Sequence, residues 1–170
     1  PELTTLALTV LDAHGAAEYS FYADGTADRL VEAPTTIPEA VTAASFGTLS
    51  LLYEPGASVY AALLARVHDA GVLTMLDPNI RPAAMTDGDG YRARFRTWLP
   101  SIDILKVSVE DAGWLGEGPQ GTTVQDWLDA GVTAVVVTRG GDGLSVVTTA
   151  GETVVPGVSV QVADTIGAGD

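Results

Sequence analysis

From residue 45 to residue 138, short apolar runs alternate with segments of helical period, and this alternation constrains the fold more than any other feature. The apolar runs are residues 45–52 (SFGTLSLL), 72–77 (VLTMLD), 103–108 (DILKVS) and 133–138 (TAVVVT). Residues 58–70 carry Val59, Leu63, Leu64 and Val67 at helical spacing, and Gly71 supplies the stop. Tyr91, Phe95 and Trp98 make a second helical stripe. Residues 110–115 start a short helix, and residues 123–130 form another, ended by Gly131. Strands joined through helices predict parallel βαβ units with strands buried on both faces. Both flanks read differently. Residues 5–12 alternate, with Leu6, Leu8 and Val10 on one face. Residues 18–22 alternate too, with Tyr19 and Phe21 sharing a face, and the turn-forming Asp12-Ala13-His14-Gly15 makes an antiparallel ribbon of the two. Beyond residue 143, residues 144–149, 153–156 and 158–162 read as short strands joined by tight turns.

Charge narrows the function. The formal net charge is −14, from 8 Lys and Arg against 22 Asp and Glu, so nucleic acid and anionic membranes are not expected partners. Lys106 is the sole lysine, which leaves little room for a lysine-based phosphate site. There is no cysteine, hence no disulfide framework and no thiolate metal site. An apolar fraction of 46% is too high for a disordered chain, and 170 residues suit one domain. No apolar run is long enough to span a bilayer and nothing resembles a signal peptide, so the expected location is the cytoplasm.

A parallel α/β sheet binds ligands at the carboxyl ends of its strands. Those ends carry Asp77-Pro78-Asn79-Ile80-Arg81-Pro82, Ser108-Val109-Glu110-Asp111, Thr138-Arg139-Gly140-Gly141-Asp142-Gly143 and Asp164-Thr165-Ile166-Gly167-Ala168-Gly169-Asp170. If a helix begins at Gly167-Ala168-Gly169, its backbone N–H groups and dipole form an anion hole, with Asp170 beside it to take a proton from a hydroxyl. A backbone-held phosphate next to a carboxylate base describes phosphoryl transfer. The same residues also suit a plain glycine turn closing a strand. Residues 138–143 can cradle a phosphate or admit an adenine, or serve as a simple connector. Asp111 can hold Mg²⁺ through waters, although an acidic residue in a helix's first turn needs no metal to explain it. Arg81 can clamp a phosphate, and the flanking Pro78 and Pro82 favour a placed loop over a surface arginine. The chain has no G-x-x-x-x-G-K-[ST] loop, no early G-x-G-x-x-G and no G-x-S-x-G elbow. His14 and His68 lack a second ligand at metal spacing and read as surface residues; Trp98, Trp114 and Trp127 read as core anchors.

With these motifs in order, the chain resembles the PfkB or ribokinase family of carbohydrate kinases. DTIGAGD at residues 164–170 is similar to that family's C-terminal signature. DPNIRP (77–82), TRGGDG (138–143), KVSVEDAGWL (106–115) and FGTLSL (46–51) resemble it in order and spacing. Residues 4–28 look like the lid ribbon of fructokinase-like members. The resemblance implies a ribokinase-like three-layer α/β/α fold with a mostly parallel central sheet and a small β lid. The ribbon would be residues 1–25 and the kinase core residues 26–170.

The activity implied is ATP-dependent phosphorylation of a sugar hydroxyl. By resemblance Asp170 is the base, and Gly167, Ala168 and Gly169 form the anion hole. Thr138, Arg139, Gly140, Gly141, Asp142 and Gly143 line the nucleotide, with Ser108 and Asn79 nearby. Arg81 and Tyr22 reach the sugar. Asp164 and the carbonyl of Ile166 match positions that hold a monovalent cation such as K⁺. Ser108 and Asp111 occupy an Asn-x-x-Glu position near Mg²⁺, and both differ from that pattern. Acid-sugar members resemble YYR-x-x-SA where this chain has FYADGTAD; their Arg is Ala23 here, which favours a neutral sugar such as fructose over 2-keto-3-deoxygluconate, with ribose as a further alternative. The family's N-terminal sugar-binding part and the helix after the signature are not in the sequence, so the expectation is a partial kinase fold. The competing expectation is a non-catalytic module that binds nucleotide or sugar at most. The apolar ribbon residues would close over sugar or pair with a second copy as a homodimer.

Overall fold

Strand order decides the layering. The computed structural model describes residues 2–11, 17–119 and 121–160. Among them, six strands form one sheet: β3 (Ala43–Gly47), β4 (Leu73–Asp77), β5 (Ile104–Ser108), β6 (Ala134–Thr138), β7 (Gly143–Thr148) and β8 (Gly151–Pro156). They lie side by side in chain order; β3 to β6 are parallel, and β7 and β8 add antiparallel strands. Parallel neighbours taken in chain order, joined by crossovers of one hand, bring every connecting helix to the same face. The helices α1 (Gly56–Asp69), α2 (Gly88–Trp98), α3 (Val109–Leu115) and α4 (Val124–Asp129) accordingly share a single core with the sheet. Leu64 and Val67 of α1, Tyr91, Phe95 and Trp98 of α2, Leu115 of α3 and Trp127 of α4 pack there with Phe46, Leu76, Leu105, Val107 and Val135. Fully burying one such side chain is worth about 1.5–3 kcal/mol.

Among the described residues the strands are fully buried on one face and half-buried on the other, where the apolar runs predict burial on both. Along β5 and β6 buried residues alternate strictly with half-buried ones. Leu105, Val107, Val135 and Val137 face the helices; Ile104, Lys106, Ala134 and Val136 face away. The apolar run at 45–52 is also not one strand. It leaves the sheet at Gly47 and turns through a 3-10 helix (Thr48–Leu51), where Ser50 Oγ donates to the carbonyl of Gly47 and Leu51 is fully buried. An apolar run says that residues are buried and leaves their backbone undetermined. Residues 157–160 form no strand, and Val158 and Val160 are exposed; residues 161–162 lie outside the described residues.

Local signals set the helix ends. Gly71 (φ +78°) follows α1, and Gly131 (φ +118°) follows α4. Thr123 caps α4 through a reciprocal bond pair with Asp126. His68, read as a surface residue, is half-buried with Nε2 3.9 Å from Asp103. Trp98 and Trp127 are core residues as expected, and Trp114 is stacked under Arg92, 3.8 Å from its guanidinium to the ring centre.

The ribbon is a separate two-stranded sheet of β1 (Leu6–Leu11) and β2 (Ala17–Tyr22). Its register pairs Leu6 with Tyr22 and Ala7 with Phe21, so Phe21 lies on the face opposite Leu6, Leu8 and Val10. Arg29 ties the ribbon's base to the core. Its guanidinium donates to the carbonyl of Ala23 at 3.3 Å, to Asp24 at 2.9 Å and to the carbonyl of Glu54 at 2.9 Å. Among the described residues no helix is long and apolar enough to cross a membrane.

Candidate functional site

Three neighbouring strands bring their motif-bearing ends to one edge of the sheet. β4 ends at Asp77, and the chain continues through Pro78, Asn79, Ile80 and Arg81, with Asn79 in the left-handed region at φ 41°. β5 ends at Ser108, whose hydroxyl accepts from the Asp111 N–H at 3.0 Å while the Asp111 carboxylate accepts from the Ser108 N–H at 3.3 Å. This reciprocal pair opens α3. The other Asp111 oxygen accepts from the Ile80 N–H at 2.9 Å, so one buried carboxylate joins the loop after β4 to the turn after β5. Thr138, at the end of β6, is the register partner of Ser108.

The turn after β6 is built by glycine. The Arg139 N–H donates to the Gly143 carbonyl at 2.8 Å, and a 3-10 turn (Gly140–Asp142) lies inside. Gly143 has φ +96°, and a Cβ there would lie 2.1 Å from the Val155 carbonyl oxygen, so no other residue fits.

Burial is the largest influence on Asp111 and raises its carboxyl above the ordinary 3.8; hydrogen bonds from Ser108 and Ile80 pull it down, and Asp77 pushes it up. Tyr91 is buried beneath, its phenol raised by burial and then by the Asp111 charge. Its hydroxyl has no hydrogen-bond partner among the described residues.

Of the residues expected to act, Asn79, Arg81, Ser108, Asp111 and Thr138 to Gly143 lie at this edge. Arg81 folds onto its own loop, donating to the carbonyls of Asn79 at 3.2 Å and Ile80 at 3.0 Å. Arg139 reaches Glu152 of β8 at 3.4 Å. Tyr22 is exposed and lines a different cleft, of about 680 Å³, with Asp24, Arg29 and Tyr53. Asp164, Ile166, Gly167, Ala168, Gly169 and Asp170 lie outside the described residues.

Sequence reasoning missed Lys106 and Asp77, whose side chains pair at 2.5 Å on the sheet face turned away from the helices. The signal was there: one Lys and one Asp of opposite charge at the outward positions of two apolar strands.

Among the described residues no group of three or more His, Cys, Asp or Glu could hold a metal ion. Asp77 is engaged by Lys106, and the other carboxylates of the edge are the buried Asp111 and the exposed Glu110 and Asp142. That donor set suits a hydrated Mg²⁺ carried by substrate phosphates and touched by Asp111 through water.

The sequence profile described as "pfkB family carbohydrate kinase" matches residues 2–170. The chain belongs to the pfkB family of carbohydrate kinases. Its relatives include a fructokinase of Rhizobium leguminosarum bv. trifolii, 37% identical over 173 residues, a match that covers 100% of this chain and 52% of the relative. The structure of a fructokinase with bound ATP from Xylella fastidiosa superposes with a TM-score of 0.82 at 25% identity, covering 99% of this chain and 53% of that one. A fructokinase from Vibrio cholerae in fructose-, ADP- and calcium-bound form shares the fold, with a TM-score of 0.74 at 23% identity over 96% of this chain and 54% of that one. This pfkB-family chain thus spans about half the length of the relatives it matches, and its α/β architecture with a mostly parallel sheet is that of ribokinase-like kinases.

Proposed function

We propose that the protein containing this chain is an ATP-dependent sugar kinase that transfers the γ-phosphoryl group to a hydroxyl of a neutral sugar, fructose foremost. The observation that carries the reading is the gathering of Asn79, Ser108, Asp111 and Thr138 at the carboxyl ends of three adjacent parallel strands, in a pfkB-family chain. Such an edge is where this architecture binds phosphorylated ligands. Residues 138–143 supply backbone donors for the nucleotide, and Asn79 and Arg81 stand on the neighbouring loop.

In the proposed reaction the sugar hydroxyl gives its proton to Asp170 as its oxygen bonds to the γ-phosphorus and the bond to the β–γ bridging oxygen breaks. The N–H groups of Gly167, Ala168 and Gly169 hold the charge on the transferring phosphoryl oxygens. Mg²⁺, when bound, neutralises charge on the phosphates. Asp111 would hold it through water. Asp164 and the Ile166 carbonyl would hold K⁺. These roles for residues 164–170 rest on the family motif.

Fructose is preferred because Ala23 stands where acid-sugar kinases carry an arginine. Ala23 is buried and uncharged; its carbonyl accepts from Thr26 Oγ1 at 2.8 Å and from the Arg29 guanidinium at 3.3 Å, and that guanidinium is already paired with Asp24. The exposed Leu6, Leu8 and Tyr22 suit a lid that closes over sugar or pairs with a second copy. ADP formation by the full-length protein with fructose, ribose and 2-keto-3-deoxygluconate tests the reading. Fructose is expected to give the highest turnover and Asp170→Asn to abolish it. Turnover with the acid sugar alone would overturn the substrate assignment, and an active Asp170→Asn variant would overturn the base.

A further inference from the structure

Lys106 and Asp77 face each other on adjacent parallel strands, one rung beyond the Leu76–Leu105 pairing. Both side chains are largely removed from water, at 15% and 19% exposure. Their neighbours on that face include the apolar Met75, Ile104 and Val136, with Gly47 and the polar Ser108 at its edge. Desolvating two charges costs free energy that their attraction returns only in part, and an apolar pair would pack there as well. What the ion pair provides and an apolar pair would not is direction.

Asp77 is the last residue of β4, so its side chain sits where the chain leaves the sheet for Asn79 and Arg81. Two further contacts fix the same loop: Asp111 holds the Ile80 N–H, and Arg81 closes over the carbonyls of Asn79 and Ile80. Lys106 holds the side chain of Asp77, the last strand residue, whose backbone is paired with Gly47 of β3. We infer that the Lys106–Asp77 pair is a positioning device that sets the angle at which the loop leaves β4 and so seats Asn79 and Arg81 against the nucleotide phosphates. This inference rests on the phosphoryl-transfer reading above. Displacing a positioning loop by about 1 Å costs on the order of 10²-fold in rate.

The test uses the full-length protein and compares the parent with Lys106→Met, Lys106→Arg and the double variant Lys106→Met/Asp77→Asn. Thermal midpoints and kcat/KM for ATP and for fructose are measured on each. Lys106→Met is expected to lower kcat/KM for ATP by roughly 10- to 100-fold, with a smaller change in KM for fructose. Lys106→Arg is expected to restore most of the activity. The double variant is expected to regain the thermal midpoint without regaining kcat/KM for ATP. If Lys106→Met does not fold, the double variant, in which position 77 carries no charge, carries the comparison. A double variant that recovers both quantities would reduce the pair to charge balance and overturn the inference, as would an unaffected Lys106→Met. A parent with no sugar-dependent ATP turnover would overturn the kinase reading and this inference with it, whereas an active parent with indifferent variants overturns this inference alone.

Discussion

The Asp111 carboxylate accepts the backbone N–H of Ile80 at 2.9 Å across 31 residues of chain. That single bond couples the loops at the ends of two neighbouring strands. The same carboxylate closes the N-terminus of α3 through Ser108, so a local cap and a long-range clamp share one side chain.

Replacing Asp111 by Asn tests that double duty. An amide oxygen can serve one of the two N–H donors, and its NH₂ then faces the other. At neutral pH Asp111→Asn is expected to lose about 1–3 kcal/mol of stability in urea denaturation. The pH dependence carries its own sign. Burial raises the Asp111 carboxyl in the folded state, so the native protein binds that proton more tightly than the unfolded chain. Relative to Asp111→Asn, the parent's stability should fall as pH rises from 3.8 to the raised value and stay level above it. A difference that grows with pH would mean that the hydrogen bonds outweigh burial.

Gly143 and Gly141 should respond oppositely to alanine. A Cβ on Gly143 meets the Val155 carbonyl and the Gly157 N–H at 2.1 and 2.5 Å, in a left-handed conformation. At Gly141 nothing lies within 4 Å and the conformation is ordinary. Gly143→Ala is expected to destabilise by more than about 2 kcal/mol and to weaken ATP binding in calorimetry, while Gly141→Ala stays within about 0.5 kcal/mol of the parent.

Arg92 is buried, stacks on Trp114 and donates from Nε to the Trp114 carbonyl at 2.9 Å. Arg92→Ala removes the stacking and the side-chain bond to that carbonyl, which keeps the Glu117 N–H at 3.3 Å. Thermal and urea denaturation should report a loss of about 2–4 kcal/mol. A loss under about 0.5 kcal/mol would show the stacking to be idle.

Arg29→Ala should loosen the ribbon without unfolding the core. It deletes the bonds to the carbonyls of Ala23 and Glu54 and the cation over the Tyr53 ring, 5.2 Å from its centre. Limited proteolysis is expected to cut within residues 6–22 faster than in the parent, and KM for the sugar to rise several-fold with a smaller change in kcat. Unchanged cleavage would remove Arg29 as the ribbon's anchor.

The helices at Tyr91-Phe95-Trp98 and Leu64-Val67, and the strands ending at Asp77, Ser108 and Thr138, could all be read from the sequence, because backbone preference and side-chain period are local properties. The motifs at those strand ends could be read for the same reason. Other features depend on which strand lies beside which. Among the described residues the strand order put the four α-helices on one face and left the other half-buried, so equal apolar runs met unequal surroundings. It set Lys106 opposite Asp77, and it brought Ile80 to Asp111. Ribbon register sent Phe21 to the face away from Leu8, and Gly47 ended a strand that the apolar run alone would have continued. By itself the sequence determined the elements and their chemistry. Only the tertiary structure decided which residues, 29 or 31 positions apart, share a contact, because that depends on how the strands are ordered and no local period encodes it.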